Sequence, residues 1–107
     1  MLLAECYSGH FYGVNYPKFQ DLHDIGPIPE GYYNIGDAIQ FHEKLGVYVI
    51  PLNPYGSNRM FGREGFYIHG DEIKNPGKFN GSDGCIVMPL FCRKIVGNHT
   101  DKVLVVV

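Results

Sequence analysis

No stretch of the 107-residue sequence approaches the roughly 18 consecutive apolar residues that a membrane-spanning helix requires. The opening Met1-Leu2-Leu3-Ala4 meets Glu5 before any signal-type apolar region develops. The expectation is a chain made in the cytoplasm without an encoded leader. Charge is also in short supply. With 19% charged residues and a formal net charge of -2, there is neither a basic face for nucleic acid nor an acidic tail, so a polyanion is not the expected partner. Cysteine is scarce and odd in number: Cys6, Cys85 and Cys92. Two states stay open, three thiols as in a reducing compartment, or a Cys6–Cys92 pair that leaves Cys85 free. Cys85, Cys92 and His99 recur at intervals of seven, unlike the short paired spacings that pre-form zinc sites, so no metal or cofactor is expected. Repeats, linkers and low-complexity tracts are missing too. The length suits one domain, residues 1–107, burying roughly two thirds of its unfolded surface.

A long helical period is the remaining absence. In its place stand fourteen glycines, seven prolines, eight tyrosines and seven phenylalanines, the composition of short strands punctuated by turns, so the chain reads as mainly β. Strands are expected at residues 2–7, 31–35, 47–52, 65–69 and 102–107. The last run, apolar on both faces, is expected as a central strand with a buried C-terminus. Gly26-Pro27-Ile28-Pro29-Glu30-Gly31 reads as a rigid turn, because proline fixes φ and glycine permits positive φ. One short helix is expected after Cys85, with Pro89 in its first turn and Gly97-Asn98 at its end. Residues 37–45 are ambiguous and could supply a turn of helix.

The chemistry concentrates between residues 66 and 89. His69 closes an alternating run, Phe66-Tyr67-Ile68-His69, that puts Tyr67 and His69 on one strand face. Sixteen positions later Cys85 follows Gly81-Ser82-Asp83-Gly84. If the two segments are neighbours, a thiol nucleophile acquires its own base, the minimum equipment for acyl transfer. The Ser82-Asp83-Gly84 turn can direct backbone N–H groups at one locus beside the sulfur and so stabilise an oxyanion, and a following helix start would favour the thiolate. Each residue also has a plainer reading. A lone cysteine is more often a small buried apolar residue, and His69 could be a structural histidine in a turn. Asp71 could orient the imidazole, although a backbone carbonyl would serve as well. His10, His23, His42 and His99 have no nucleophile close by in sequence and are read as structural or exposed. Arg63 could grip a substrate carboxylate two-pronged or stabilise a turn; Tyr67 could line the cleft or simply pack. A papain-type arrangement is disfavoured because there the cysteine precedes the histidine.

The His69-Gly70 strand end followed by Ser82-Asp83-Gly84-Cys85-Ile86 resembles the His-Gly and Ser-x-Gly-Cys signature of the L,D-transpeptidase (YkuD-like) catalytic domain. Residues 26–33, 51–54 and 60–71 look like the compact subgroup typified by type VI secretion L,D-transpeptidase effectors, and the likeness runs from about Tyr7 to the C-terminus. Asp83 before Gly84, and Val87 where many members carry arginine, depart from the pattern. The resemblance implies a small β-sandwich of mixed strands with one short helix after the catalytic cysteine. It also implies action on peptidoglycan tetrapeptide stems through a Cys85 thioester, with His69 as base and the Asp83, Gly84 and Cys85 amides holding the oxyanion. Gly70 belongs to the same signature, and Arg63, Tyr67 and Asp71 become candidate substrate contacts. Implied partners are the peptide stems, a secretion apparatus and an immunity protein; the implied place of action is the periplasm or cell wall. A non-catalytic wall-binding or phage-type structural module keeping the same fold is the alternative.

Overall fold

The computed structural model describes residues 7–8, 15, 18, 20–22, 26–70 and 84–107. In chain order the elements are β1 (Tyr7–Ser8), β2 (Gly31–Ile35), β3 (Ile39–His42), β4 (Gly46–Pro54), β5 (Phe66–His69), β6 (Ile86–Val87), α1 (Leu90–Asn98) and β7 (Val103–Val106). The strands form a curled mixed sheet with neighbours in the order β1-β6-β5-β4-β2-β7, and β3 pairs with β4 off this path. Every pairing is antiparallel except β5 with β6. A parallel pair cannot be joined by a tight hairpin, and the return from β5 to β6 is the stretch that carries Ser82 and Asp83. Those two residues, with Asp71, Cys6, His10, His23 and residues 2–6 of the first expected strand, lie outside the described residues.

Alternation along β5 builds the core. Phe66 and Ile68 face inward and meet Leu52 and Ile50 of β4 and Ile86 of β6, and Tyr33, Tyr48 and Ile28 complete the cluster. Tyr33 is fully buried. Its hydroxyl donates to the Pro29 carbonyl at 2.6 Å, and burial pushes its pKa up to about 12, a rise that the Arg63 charge partly opposes. The expected 26–31 turn is present, and its residues 26–29 are buried. Its polar groups are engaged: Tyr33 takes the Pro29 carbonyl, Arg63 the Gly26 and Pro27 carbonyls, and Ser8 the Ile28 N–H.

Three expectations are corrected. The C-terminal run is not central: β7 ends the strand order beside β2, with Val103 and Val105 exposed and only Leu104 and Val106 packed against the core. Apolar residues on both faces were the reason to expect a covered strand, but a short valine run carries the same pattern at an edge. Residues 39–42 form a strand, not a helical turn, because Ile39, Phe41 and His42 pair with Val49, Val47 and Gly46. The helix starts one residue after Pro89, which occupies the N-cap. β6 lies between Cys85 and α1, so the helix start follows the far end of that strand rather than the sulfur.

Candidate active site at the β5–β6 junction

In the parallel register Ile86 lies beside Ile68 and Val87 beside His69. One residue back along each strand, Cys85 stands opposite Tyr67. The alternation of β5 puts Tyr67 and His69 on one face, and Cys85 immediately precedes the partner strand β6. Cys85 is half-buried and is not in a disulfide. The Tyr67 N–H donates to its Sγ at 3.3 Å, and the thiol in turn approaches the Gly65 carbonyl at 3.8 Å. Cys92 is also outside any disulfide, but it is buried.

His69 is 5% exposed and places Nδ1 2.8 Å from the Gly70 carbonyl oxygen. A carbonyl can only accept, so this bond requires the proton on Nδ1. The His69 carbonyl accepts the Met88 N–H at 3.0 Å, which fixes the strand end from its other side. Gly70 thus supplies the carbonyl that was weighed against Asp71 as the orienting group. Gly70 also abuts the Arg93 guanidinium: a Cβ there would sit 2.9 Å from Nη1.

Arg63 lies in the wall of the site, not at its mouth. It is 6% exposed; Nη1 donates to the Gln20 and Pro27 carbonyls at 2.6 and 2.8 Å, and Nη2 to the Gly26 carbonyl at 3.0 Å. The guanidinium also stacks over Phe66, 5.2 Å from the ring centroid. Its two-pronged fork is turned into the protein, so the turn-stabilising role weighed from sequence is the one the geometry supports. Gly84 packs against this wall with φ +130°, and a Cβ there would run into Arg63 Nη2 and the Phe66 ring. Only glycine fits the position.

Sequence reasoning missed two residues here. His42 sets its ring edge-on to Tyr67, 5.4 Å between centroids, and its Nδ1 accepts the Lys44 and Leu45 N–H groups at 3.1 Å each. That acceptor role puts the His42 proton on Nε2. Ser8, buried on β1, donates its hydroxyl to the Gly84 carbonyl. Neither has a nearby motif; both reach the site through strand pairing. A cavity of about 600 Å³ opens elsewhere, on the core face of β5, lined by Ile28, Ile68, Ile86, Val96, Leu104 and Val106. Ile68 points opposite to Tyr67 and His69, so this apolar space is separate from the thiol–imidazole face. Among the described residues no three His, Cys, Asp or Glu side chains gather as metal ligands, and no helix is long and apolar enough to cross a membrane.

A half-buried thiol and a buried imidazole at adjacent strand ends make up the candidate site on a mainly β scaffold. The chain belongs to the Tlde1 domain family, whose model matches residues 3–93, a family of type VI secretion effectors. No curated protein and no solved structure matches the chain.

Proposed function

We propose that residues 1–107 act as one catalytic domain, an L,D-transpeptidase-like cysteine enzyme that opens peptidoglycan tetrapeptide stems, as an antibacterial effector delivered to a target cell's periplasm. The observation that supports this reading is the β5–β6 register, which pairs His69 with Val87, two residues after Cys85, together with the Tyr67 N–H donated to the Cys85 sulfur. An N–H donated to sulfur favours the anion over the thiol. The imidazole, with Nδ1 engaged by Gly70, offers Nε2 for proton transfer.

His69 takes the thiol proton as Sγ attacks the carbonyl of the L-centre of diaminopimelate. The carbonyl π pair moves onto oxygen, where the Asp83, Gly84 and Cys85 amides receive it. Collapse breaks the C–N bond; D-alanine leaves with the proton returned by His69, and a thioester to Cys85 remains. Water, a D-amino acid or the amine of another stem then attacks the thioester, giving trimming, exchange or cross-linking respectively, and restores the thiol. Tyr67 and His42 flank the sulfur's face and are placed to contact the stem. Asp71 and Ser82 keep the supporting roles that the sequence motif gives them. A secretion apparatus and an immunity protein are the macromolecular partners this reading entails.

The test is mass analysis of purified tetrapeptide muropeptides after incubation with the protein. Loss of D-alanine, or its replacement, is expected from the parent and from Cys6→Ala and Cys92→Ala, and is expected to vanish in a folded Cys85→Ala. Turnover that survives Cys85→Ala rejects the mechanism, and unchanged muropeptides with the parent favour a non-catalytic wall-binding module.

A further inference from the structure

Ser8 and Gly84 stand 76 positions apart and meet in the interior. The Ser8 hydroxyl donates to the Gly84 carbonyl at 2.8 Å, while the same oxygen accepts the Ile28 N–H at 2.7 Å. The Ser8 backbone is engaged as well, its N–H by Asn15 Oδ1 at 3.0 Å and its carbonyl by the Asn15 N–H at 2.8 Å. A serine hydroxyl ordinarily rotates to suit its surroundings. Here the incoming Ile28 N–H takes a lone pair, and the Gly84 carbonyl fixes where the proton points.

A trans peptide is a rigid plane in which the carbonyl and the following N–H point in opposite directions. Holding the Gly84 carbonyl on the Ser8 hydroxyl therefore points the Cys85 N–H away from Ser8. The fixed plane is the one that immediately precedes the Cys85 side chain, whose Sγ accepts the Tyr67 N–H. Gly84 has no side chain to anchor this plane, and its backbone is permissive. The remote hydroxyl supplies a restraint on it.

We infer that Ser8 is a positioning residue for acyl transfer: through the Gly84 carbonyl it aims the nucleophile's own amide at the oxygen that becomes negative when sulfur adds to a carbonyl. The inference rests on the reading of Cys85 as nucleophile. It separates two reactions of the same thiol. Acylation by 4-nitrophenyl acetate forms an Sγ–C bond and an oxyanion, then breaks the C–O bond as nitrophenolate departs with the electron pair; the thiol proton passes through His69 to solvent. Alkylation by iodoacetamide displaces iodide in one step and develops no oxyanion. A misdirected amide slows the first and spares the second.

Both rates are measured on Cys85 in a Cys6→Ala background, with the labelled site confirmed by peptide mass. Removing an oxyanion donor outright costs two to three orders of magnitude, so misaiming it in Ser8→Ala should slow acylation about 10–100-fold, with alkylation within about threefold of the parent. Ser8→Thr and Ser8→Val, nearly equal in shape and different in the hydroxyl, form a second comparison that keeps the site filled should the alanine variant not fold. Thr should stay near the parent in both reactions, and Val should repeat the selective loss. Acylation unchanged in Ala and Val, or acylation and alkylation falling by the same factor, overturns the role while leaving Cys85 as nucleophile. A parent protein whose Cys85 reacts with neither reagent removes the nucleophile reading, and the Ser8 role with it.

Discussion

At the residue scale, His69 is the proposed base, and its hydrogen bond makes the assignment testable. With Nδ1 on the Gly70 carbonyl, Nε2 is the nitrogen that the proposed proton transfer would use. His69→Ala is expected to slow D-alanine release by two to four orders of magnitude while the fold, read by circular dichroism, persists. Turnover within a few-fold of the parent would transfer the role to another group. His69 and Cys85 were legible in the sequence because each sits in a local pattern, an alternating strand end and a glycine-flanked turn. Arg63 was half legible: its residue type announces a binder of oxygens, but only the fold decides that those oxygens are the Gln20, Gly26 and Pro27 carbonyls. Ser8 was not legible at all, since its partner is 76 positions away.

Among the elements, the junction of α1 with β4 is held by one side chain. Arg93 of α1, buried and with its pKa lowered from the ordinary value by desolvation, donates to the Tyr48 and Val47 carbonyls of β4 at 3.0 and 3.1 Å and to the Met88 carbonyl at 2.7 Å. It joins the start of the β4 hairpin strand to the segment leaving β6, directly behind Gly70. Arg93→Met keeps the stem's bulk but strands three carbonyls, a loss of roughly 3 kcal/mol or more of stability. Arg93→Lys should rescue little of it, because an ammonium cannot span three acceptors as a planar fork does. Urea denaturation checks both; a methionine variant as stable as the parent would show that water replaces the guanidinium. The helix itself was legible from Pro89 and Gly97-Asn98. Its mooring was not, and neither was β3, whose four residues acquire strand character by pairing with β4. The edge position of β7 was hidden for the same reason: hydrophobicity reports the wish for burial, whereas strand order depends on which partners the rest of the chain leaves available.

For the molecule as a whole, Val87 stands where many L,D-transpeptidase-like domains carry an arginine, which leaves the acceptor side of the proposed cleft one charged contact short. The acceptor side should therefore discriminate weakly, and water or a small D-amino acid should compete well against a bulky second stem. Trimming to tripeptides, or D-amino-acid exchange, is the expected dominant product; muropeptide dimers linked between two diaminopimelate residues as the main product would overturn this. The pairing of β1 with β6, Tyr7 beside Val87 and Ser8 beside Ile86, has a consequence in time as well as in space. It joins the beginning of the chain to its last third, so the turn that presents the cysteine is completed only after nearly the whole sequence exists. Closing so long a loop adds little thermodynamic cost, since each doubling of length costs about 0.6 kcal/mol, but contacts of high sequence separation form slowly. A nascent or unravelled chain therefore carries the thiol and the imidazole without the pairing that sets Ser8 against Gly84, which forms only when residues 7–8 have met residues 86–87.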